Sequence, residues 1–149
     1  MAREKDAPHK TYYIVAPYLA TLIGGLASNI LCGGFAVFGY LVAGMGDAVG
    51  EPVGTRFGKH TYTVPSFRKV IAFRSYEGST AVFAVCMLAI ALGYILLNIP
   101  LDASGRILIV VLVAFVCAVA EAVSPHGWDN ATMQIVPSLI MNMLNQGST

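Results

Sequence analysis

Between Gly46 and Ser79 the chain reads GDAVGEPVGTRFGKHTYTVPSFRKVIAFRSYEGS, a polar stretch set between long apolar runs. It places Asp47, Glu51 and Glu77 beside Arg56, Lys59, Arg68, Lys69 and Arg74, five of the chain's nine Lys and Arg residues. Acids among bases, with closely spaced glycines, are what a site for a metal ion and phosphates requires. Mg²⁺ takes oxygen ligands and commonly bridges one or two carboxylates to substrate phosphates. Asp47 stands at the polar end of an apolar helix, where an unpaired carboxylate is costly and a cation would offset it. Glu51 lies four residues on and shares a face with Asp47 if the helix continues through Pro52. Asp47, Glu51 and Asp129 are therefore the candidate metal ligands.

Gly50, Gly54 and Gly58 recur every fourth residue. On a helix they line one close-packed stripe. In a loop, together with Gly46, they let backbone N–H groups approach phosphate. Arg56 and Lys59 are placed to neutralise a triphosphate, Arg as a fork and Lys as a point charge. The plainer alternatives are helix packing for the glycines and a topology signal or anionic-lipid contact for the bases. In the element RSYEGS, Glu77 and Ser79 stand at a helix start and read as caps. Capping accounts less well for the proximity of Arg74 to Glu77.

A second polar island, EAVSPHGWDN, runs from Glu121 to Asn130. Asp129 is a candidate metal ligand or general base, and Asn130 its hydrogen-bonding partner. His126 reads as a turn or surface residue and Trp128 as an interfacial anchor. Asn130-Ala131-Thr132 is formally a glycosylation sequon, but the expected cytoplasmic side argues against its use. There is no GxxxxGK[ST], no GxGxxG after a strand, no GxSxG and no HExxH, so an ordinary soluble kinase or hydrolase is not expected.

The elements that must position these residues are apolar. The 149-residue chain is 56% hydrophobic and 11% charged, with a mean hydropathy of +0.69. Soluble domains carry about 25% charged residues, so the composition indicates an all-α, polytopic integral membrane protein with three to four transmembrane helices. The formal charge of +1 gives no footprint for nucleic acid. Residues 1–11 form a polar tail that lacks the layout of a cleaved signal. Residues 14–45 hold no charge and exceed the roughly 20 residues needed for one crossing. They form one long tilted helix, or two short ones broken near Ser28-Asn29 or Gly33-Gly34. Residues 46–78 form the motif loop. Helices are expected over 79–97 and 107–120, a second motif loop over 121–134, and a short apolar helix over 135–145, interfacial or beginning a span. The basic loop belongs in the cytoplasm by the positive-inside rule. Two further crossings return the second island to the same side. Cys32, Cys86 and Cys117 each lie in an apolar run and read as small buried hydrophobes.

Four elements in order resemble the phytol, dolichol and polyprenol kinase family, which is similar to the cytidylyltransferases of membrane lipids. They are Gly46-Asp47, the segment Gly54 to Lys59, the segment Arg74 to Ser79, and Glu121 to Asn130 with the downstream Pro137. The resemblance runs from about Ile30 to Pro137. It implies phosphoryl transfer from CTP, or another nucleoside triphosphate, to an isoprenoid alcohol held in the bilayer, with Mg²⁺. On that view Asp47 and Asp129 bind metal or orient the nucleophilic hydroxyl. Glu77 orients Arg74 or joins the metal shell. Arg56, Lys59 and Arg74 hold phosphates, with Gly46, Gly50, Gly54, Gly58, Ser75, Gly78 and Asn130 around them. Family members typically carry extra helices before the Gly-Asp element, so a further membrane subunit or a homo-oligomer is an expected partner. The competing readings are a non-catalytic membrane subunit derived from the family and a related cytidylyltransferase.

Overall fold

The computed structural model of the chain describes residues 10–66, 72–100 and 104–146. Most of the polar tail, Arg68, Lys69 and Asp102 lie outside them. Five helices carry the fold: α1 (Lys10–Cys32), α2 (Ala36–Phe57), α3 (Tyr76–Leu96), α4 (Ser104–Val123) and α5 (Asp129–Gln146). Two short strands, β1 (Thr61–Val64) and β2 (Ala72–Ser75), pair as an antiparallel ribbon between α2 and α3.

The glycine pair breaks the first apolar run into two helices. A single 3₁₀ turn spans Gly33–Phe35, with Gly33 at φ +54°. That left-handed conformation suits a residue without Cβ. The chain then doubles back. Tyr13 near the start of α1 faces His126, Gly24 abuts Ala131, and Asn142 of α5 lies against the Leu31 carbonyl near the end of α1. On α2 the order is reversed, with Gly39 against Gln134 and Ser138 and Gly46 against Met133. The two helices thus run antiparallel along α5, each about 33–35 Å long at 1.5 Å per residue.

Three helical stretches are long and apolar enough to cross a membrane: Thr11–Phe57, which contains this turn, Tyr76–Leu96 and Gly105–Val123. The chain is an all-α polytopic membrane protein. The core lies where α2 meets α3, α3 meets α4, and α5 closes on α2 and α4. Phe38, Val42, Cys86, Ile90, Tyr94, Ala114, Cys117 and Met141 are fully enclosed there. All three cysteines are free thiols and buried. Leu108, Leu112 and Phe115 of α4 and Leu88 and Ile95 of α3 point outward, toward the hydrocarbon that a spanning bundle requires around it.

Several expectations from sequence need correction. The segment 46–78 is not one loop. α2 continues through Pro52 to Phe57, and the strand pair follows. Pro52 removes one backbone donor but sits on an exposed face, so the helix survives it. The ribbon has only four residues per strand, too short for an alternating pattern to stand out. The last helix is not short. It begins at Asp129 and packs on α1, α2 and α4, with Pro137, Ser138 and Met141 fully buried. Its polar Gln134 and Ser138 hid this from a hydropathy reading. Ser138 satisfies its hydroxyl by donating to the Gln134 carbonyl at 2.7 Å.

Gly39 shows how tightly α5 is held. A Cβ at this position would lie 2.1 Å from the Gln134 carbonyl oxygen. Only glycine permits that backbone approach between helices.

Candidate active site

The alternation of helix direction brings one end of every helix to one end of the bundle. The C-terminal part of α2, the start of α3, the end of α4 and the start of α5 meet there, beside the N-terminal half of α1. The sequence puts its polar residues at these ends, and the fold gathers them.

Arg74 is the centre of the cluster. It sits on β2, one residue before Ser75, whose side chain caps α3 by accepting from the Gly78 N–H at 3.1 Å. Its Nη2 donates to Asp129 Oδ2 at 2.6 Å, and its Nη1 lies 3.0 Å from Glu121 Oε1. The three side chains are 13%, 23% and 17% exposed. The contact to Glu121 is an ion pair without hydrogen-bond geometry. Arg74 Nη1 and Glu121 Oε2 are buried without hydrogen-bond partners. Buried polar atoms left in that state call for an explanation, and a ligand is one.

The ribbon that carries Arg74 is tied on three sides. Tyr62 and Ser79 share a hydroxyl hydrogen bond of 2.6 Å, and the Tyr76 N–H donates to the His60 carbonyl at 3.0 Å. The His126 N–H donates to the Pro65 carbonyl at 2.9 Å, and Tyr13 and Ser66 hydroxyls lie 2.8 Å apart. Trp128 reaches α1 through its indole N–H, which donates to the Tyr12 hydroxyl at 3.2 Å. Trp128 is thus a half-buried link between helices, where sequence indicated a membrane anchor.

Asp47 stands across from this cluster on α2. Its carboxyl lies near Asn130 and in the field of Asp129, Arg74 and Glu51. Asn130 donates to the Thr21 hydroxyl of α1 at 3.0 Å. Two cavities meet at these residues. The first, of about 270 Å³, contains Arg74, Glu121, Gly46 and Gly50. The second, of about 800 Å³, lies against α1. Asp47, Glu51, His126 and Asp129 line both. Among the described residues that line the first cavity, the carboxyl groups of Asp47, Glu51, Glu121 and Asp129 stand with the guanidinium of Arg74.

Other candidates fall elsewhere. Glu77 does not meet Arg74. It pairs with His60, Oε1 to Nδ1 at 2.9 Å, and accepts the His60 backbone N–H at 3.4 Å. It fastens the base of the ribbon to α3. Ser75, not Ser79, caps that helix. Arg56 and Lys59 are exposed and line neither cavity; Arg56 lies over the neighbouring Phe57 ring. Gly50 and Gly54 are helical, and Gly78 opposes them on α3. A Cβ on Gly78 would lie 3.1 Å from the Gly50 carbonyl oxygen and 3.2 Å from Gly54 Cα. The glycine repeat is the close-packed stripe joining α2 to α3, and its backbone N–H groups are spent on helix bonds. Gly58 ends α2 and abuts Ser75.

Sequence reasoning missed Glu121 and Thr21. Glu121 carries the same signal as Asp47, a carboxylate closing an apolar helix. Thr21 carries none, since a hydroxyl inside a spanning helix is ordinarily satisfied by its own backbone, and Thr21 does donate to the Pro17 carbonyl at 2.9 Å.

Among the described residues no three His, Cys, Asp or Glu side chains are grouped to hold a metal by themselves. Asp47, Glu51 and Asp129 are therefore not a closed cage. They are oxygen donors that line both cavities. Mg²⁺ is commonly held by only one or two carboxylates, with phosphate and water in the remaining positions.

Comparison with known proteins supplies one relative. The chain is 34% identical over 134 residues to a phytol kinase of Synechocystis sp. (strain ATCC 27184 / PCC 6803 / Kazusa). The match takes in 80% of this chain and 52% of that protein, so the chain spans about half the length of the relative. No protein-family profile and no solved structure matches. This likeness supports a relationship of the chain to the phytol/polyprenol kinase family.

Proposed function

We propose that the chain is a membrane-bound phosphotransferase that moves the terminal phosphoryl group of CTP, or another nucleoside triphosphate, to an isoprenoid or related lipid alcohol. The observation that carries this reading is the partly buried Arg74 held between Glu121 and Asp129 in a cavity shared with Asp47. Catalysis of phosphoryl transfer is mostly positioning and charge stabilisation. A guanidinium flanked by acids at the rim of an apolar bundle has the parts for both.

In this reading Arg74 turns its fork toward the phosphate oxygens. Asp129 fixes that fork, and Glu121 holds its other side. Asp47 lines both cavities, which suits it to orient the alcohol and take its proton. The alcohol oxygen then bonds to the terminal phosphorus, the bridging P–O bond breaks, and the nucleoside diphosphate leaves. Asp47 and Asp129, with Glu51 beside them, would hold Mg²⁺, which when bound neutralises charge on the phosphates. Arg56 and Lys59 are left to the approach of the nucleotide or to anionic headgroups. The loops bearing both motifs are assigned to the cytoplasmic side, where nucleotide is available.

The test is purified protein in detergent with Mg²⁺, a panel of γ-labelled triphosphates and a panel of isoprenoid alcohols. The reading expects labelled lipid and the nucleoside diphosphate, both abolished by chelation. Pyrophosphate release would instead indicate a cytidylyltransferase. A folded protein with no turnover for any donor and alcohol would mark a non-catalytic subunit.

A further inference from the structure

The second cavity has a polarity gradient that the phosphotransferase reading leaves unused. Its inner wall is Asp47, Asp129 and Asn130; its outer wall is the α1 face of Ile14, Tyr18 and Leu22. Tyr18 is 76% exposed and Leu22 58%. Within a spanning helix, such residues face lipid. The groove is thus open to hydrocarbon on one side and ends on carboxylates on the other. At about 800 Å³ it lies within the range of ligand sites, roughly 300–1,000 Å³.

We infer that this groove is the entry and seating site of the acceptor, a single-chain lipid alcohol that slides in laterally along α1 with its hydroxyl toward Asp47. The inference rests on the phosphotransferase reading and adds the path and the contacts. An apolar chain beside α1 and one small polar head match the gradient. An anionic head would meet the carboxyl groups of Asp47, Glu51 and Asp129. Asn130 adjoins both sides of the groove: its amide donates to Thr21 on α1, and it lines the same cavity as Asp47 on α2. Arg74 lines only the first cavity, and the shared acids stand between the two. Acceptor and phosphate therefore approach the same carboxylates from different sides. Thr21 and Asn130 are positioning residues.

The test is photolabelling of the whole chain in lipid nanodiscs with a long-chain alcohol carrying a diazirine on its tail, mapped by mass spectrometry. Label is expected on the Ile14 to Leu22 segment. Excess unlabelled alcohol should remove it, and an alkane of the same length should not. Equal label on Leu108, Leu112 and Phe115 of α4 overturns the inference, and so does a crosslinked second copy occupying α1. In turnover assays Leu22→Trp should raise the KM for the alcohol at least about fivefold without moving that for the nucleotide, while Leu108→Trp moves neither. An unchanged alcohol KM in folded Leu22→Trp counts against the groove. The two readings fail separately. Specific α1 labelling without phosphate transfer sinks the phosphotransferase reading alone. Normal transfer with label elsewhere sinks the groove alone.

Discussion

Arg74 on β2 and Asp129 in the first turn of α5 are joined at 2.6 Å across 55 positions of sequence. This pair fixes the ribbon to the helix end that bears Asn130, and so sets the relation of both polar islands. Glu121 flanks it from α4 at 3.0 Å.

Removing the guanidinium should therefore be expensive. Arg74→Ala leaves Glu121 and Asp129 without the cation that both now pair with. Loss of one partner from a buried pair costs about 3–5 kcal/mol, and partial exposure here puts the expectation at the lower end. Thermal unfolding in detergent measures it. Arg74→Lys should keep most of the stability, since the charge remains. Its turnover should fall at least about tenfold, because a point charge does not replace a fork. Full activity in Arg74→Lys would remove Arg74 from phosphate binding.

Glu77 should behave quite differently. Its partner His60 is 77% exposed, and exposed ion pairs contribute about 0–1 kcal/mol. Glu77→Gln is expected to lower the unfolding midpoint slightly and leave turnover within about threefold, since the residue lines neither cavity. A loss as deep as that from an Asp47 substitution would return Glu77 to the catalytic group.

Two glycines on one helix make a matched pair. Gly39→Ala drives a methyl group into the Gln134 carbonyl and should destabilise by about 1–3 kcal/mol or prevent folding. Gly44→Ala meets nothing within 4 Å and should stay within about 0.5 kcal/mol of the native chain. Detergent melting curves of the two variants check the α2–α5 approach. Equal curves would mean that the helices are not in contact at Gly39.

Topology is open to direct labelling. Single cysteines at Lys59 and Val123, near opposite edges of the site, should react with an impermeant thiol reagent from one side of the membrane. A cysteine at Gly34, exposed in the turn between α1 and α2, should react from the other. Labelling of Gly34→Cys and Lys59→Cys from one side would remove the α1–α2 reversal as a pair of crossings.

Much of this was legible in the chain. Charge scarcity gave the membrane class, and the polar islands at helix ends gave Asp47, Asp129, Asn130 and Arg74. The glycine pair at Gly33-Gly34 marked one of two places where the first run could break. What stayed hidden depends on tertiary contacts. The Gly50 and Gly54 repeat allowed a phosphate loop or a helix stripe, and only the opposing Gly78 decides between them. Glu77 stood three residues from Arg74 and so read as its partner. The turn into α3 instead directs it to His60, while Arg74 crosses to residues 47 and 55 positions away. α5 looked short because polar Gln134 and Ser138 break its hydropathy, although the bundle satisfies Ser138 internally. β1 and β2 were too short for a periodic signal.

In the proposed reaction, carboxylates from α2 and α5 act on one phosphoryl group. The most direct measurement is single-turnover transfer of labelled phosphate to an isoprenoid alcohol by the native chain, Asp47→Asn and Asp129→Asn, each shown to be folded. Native transfer with a loss of at least about 100-fold in each variant is the predicted result, in line with the removal of positioned acid–base or charge-stabilising groups. Transfer by both variants at the native rate would contradict the account.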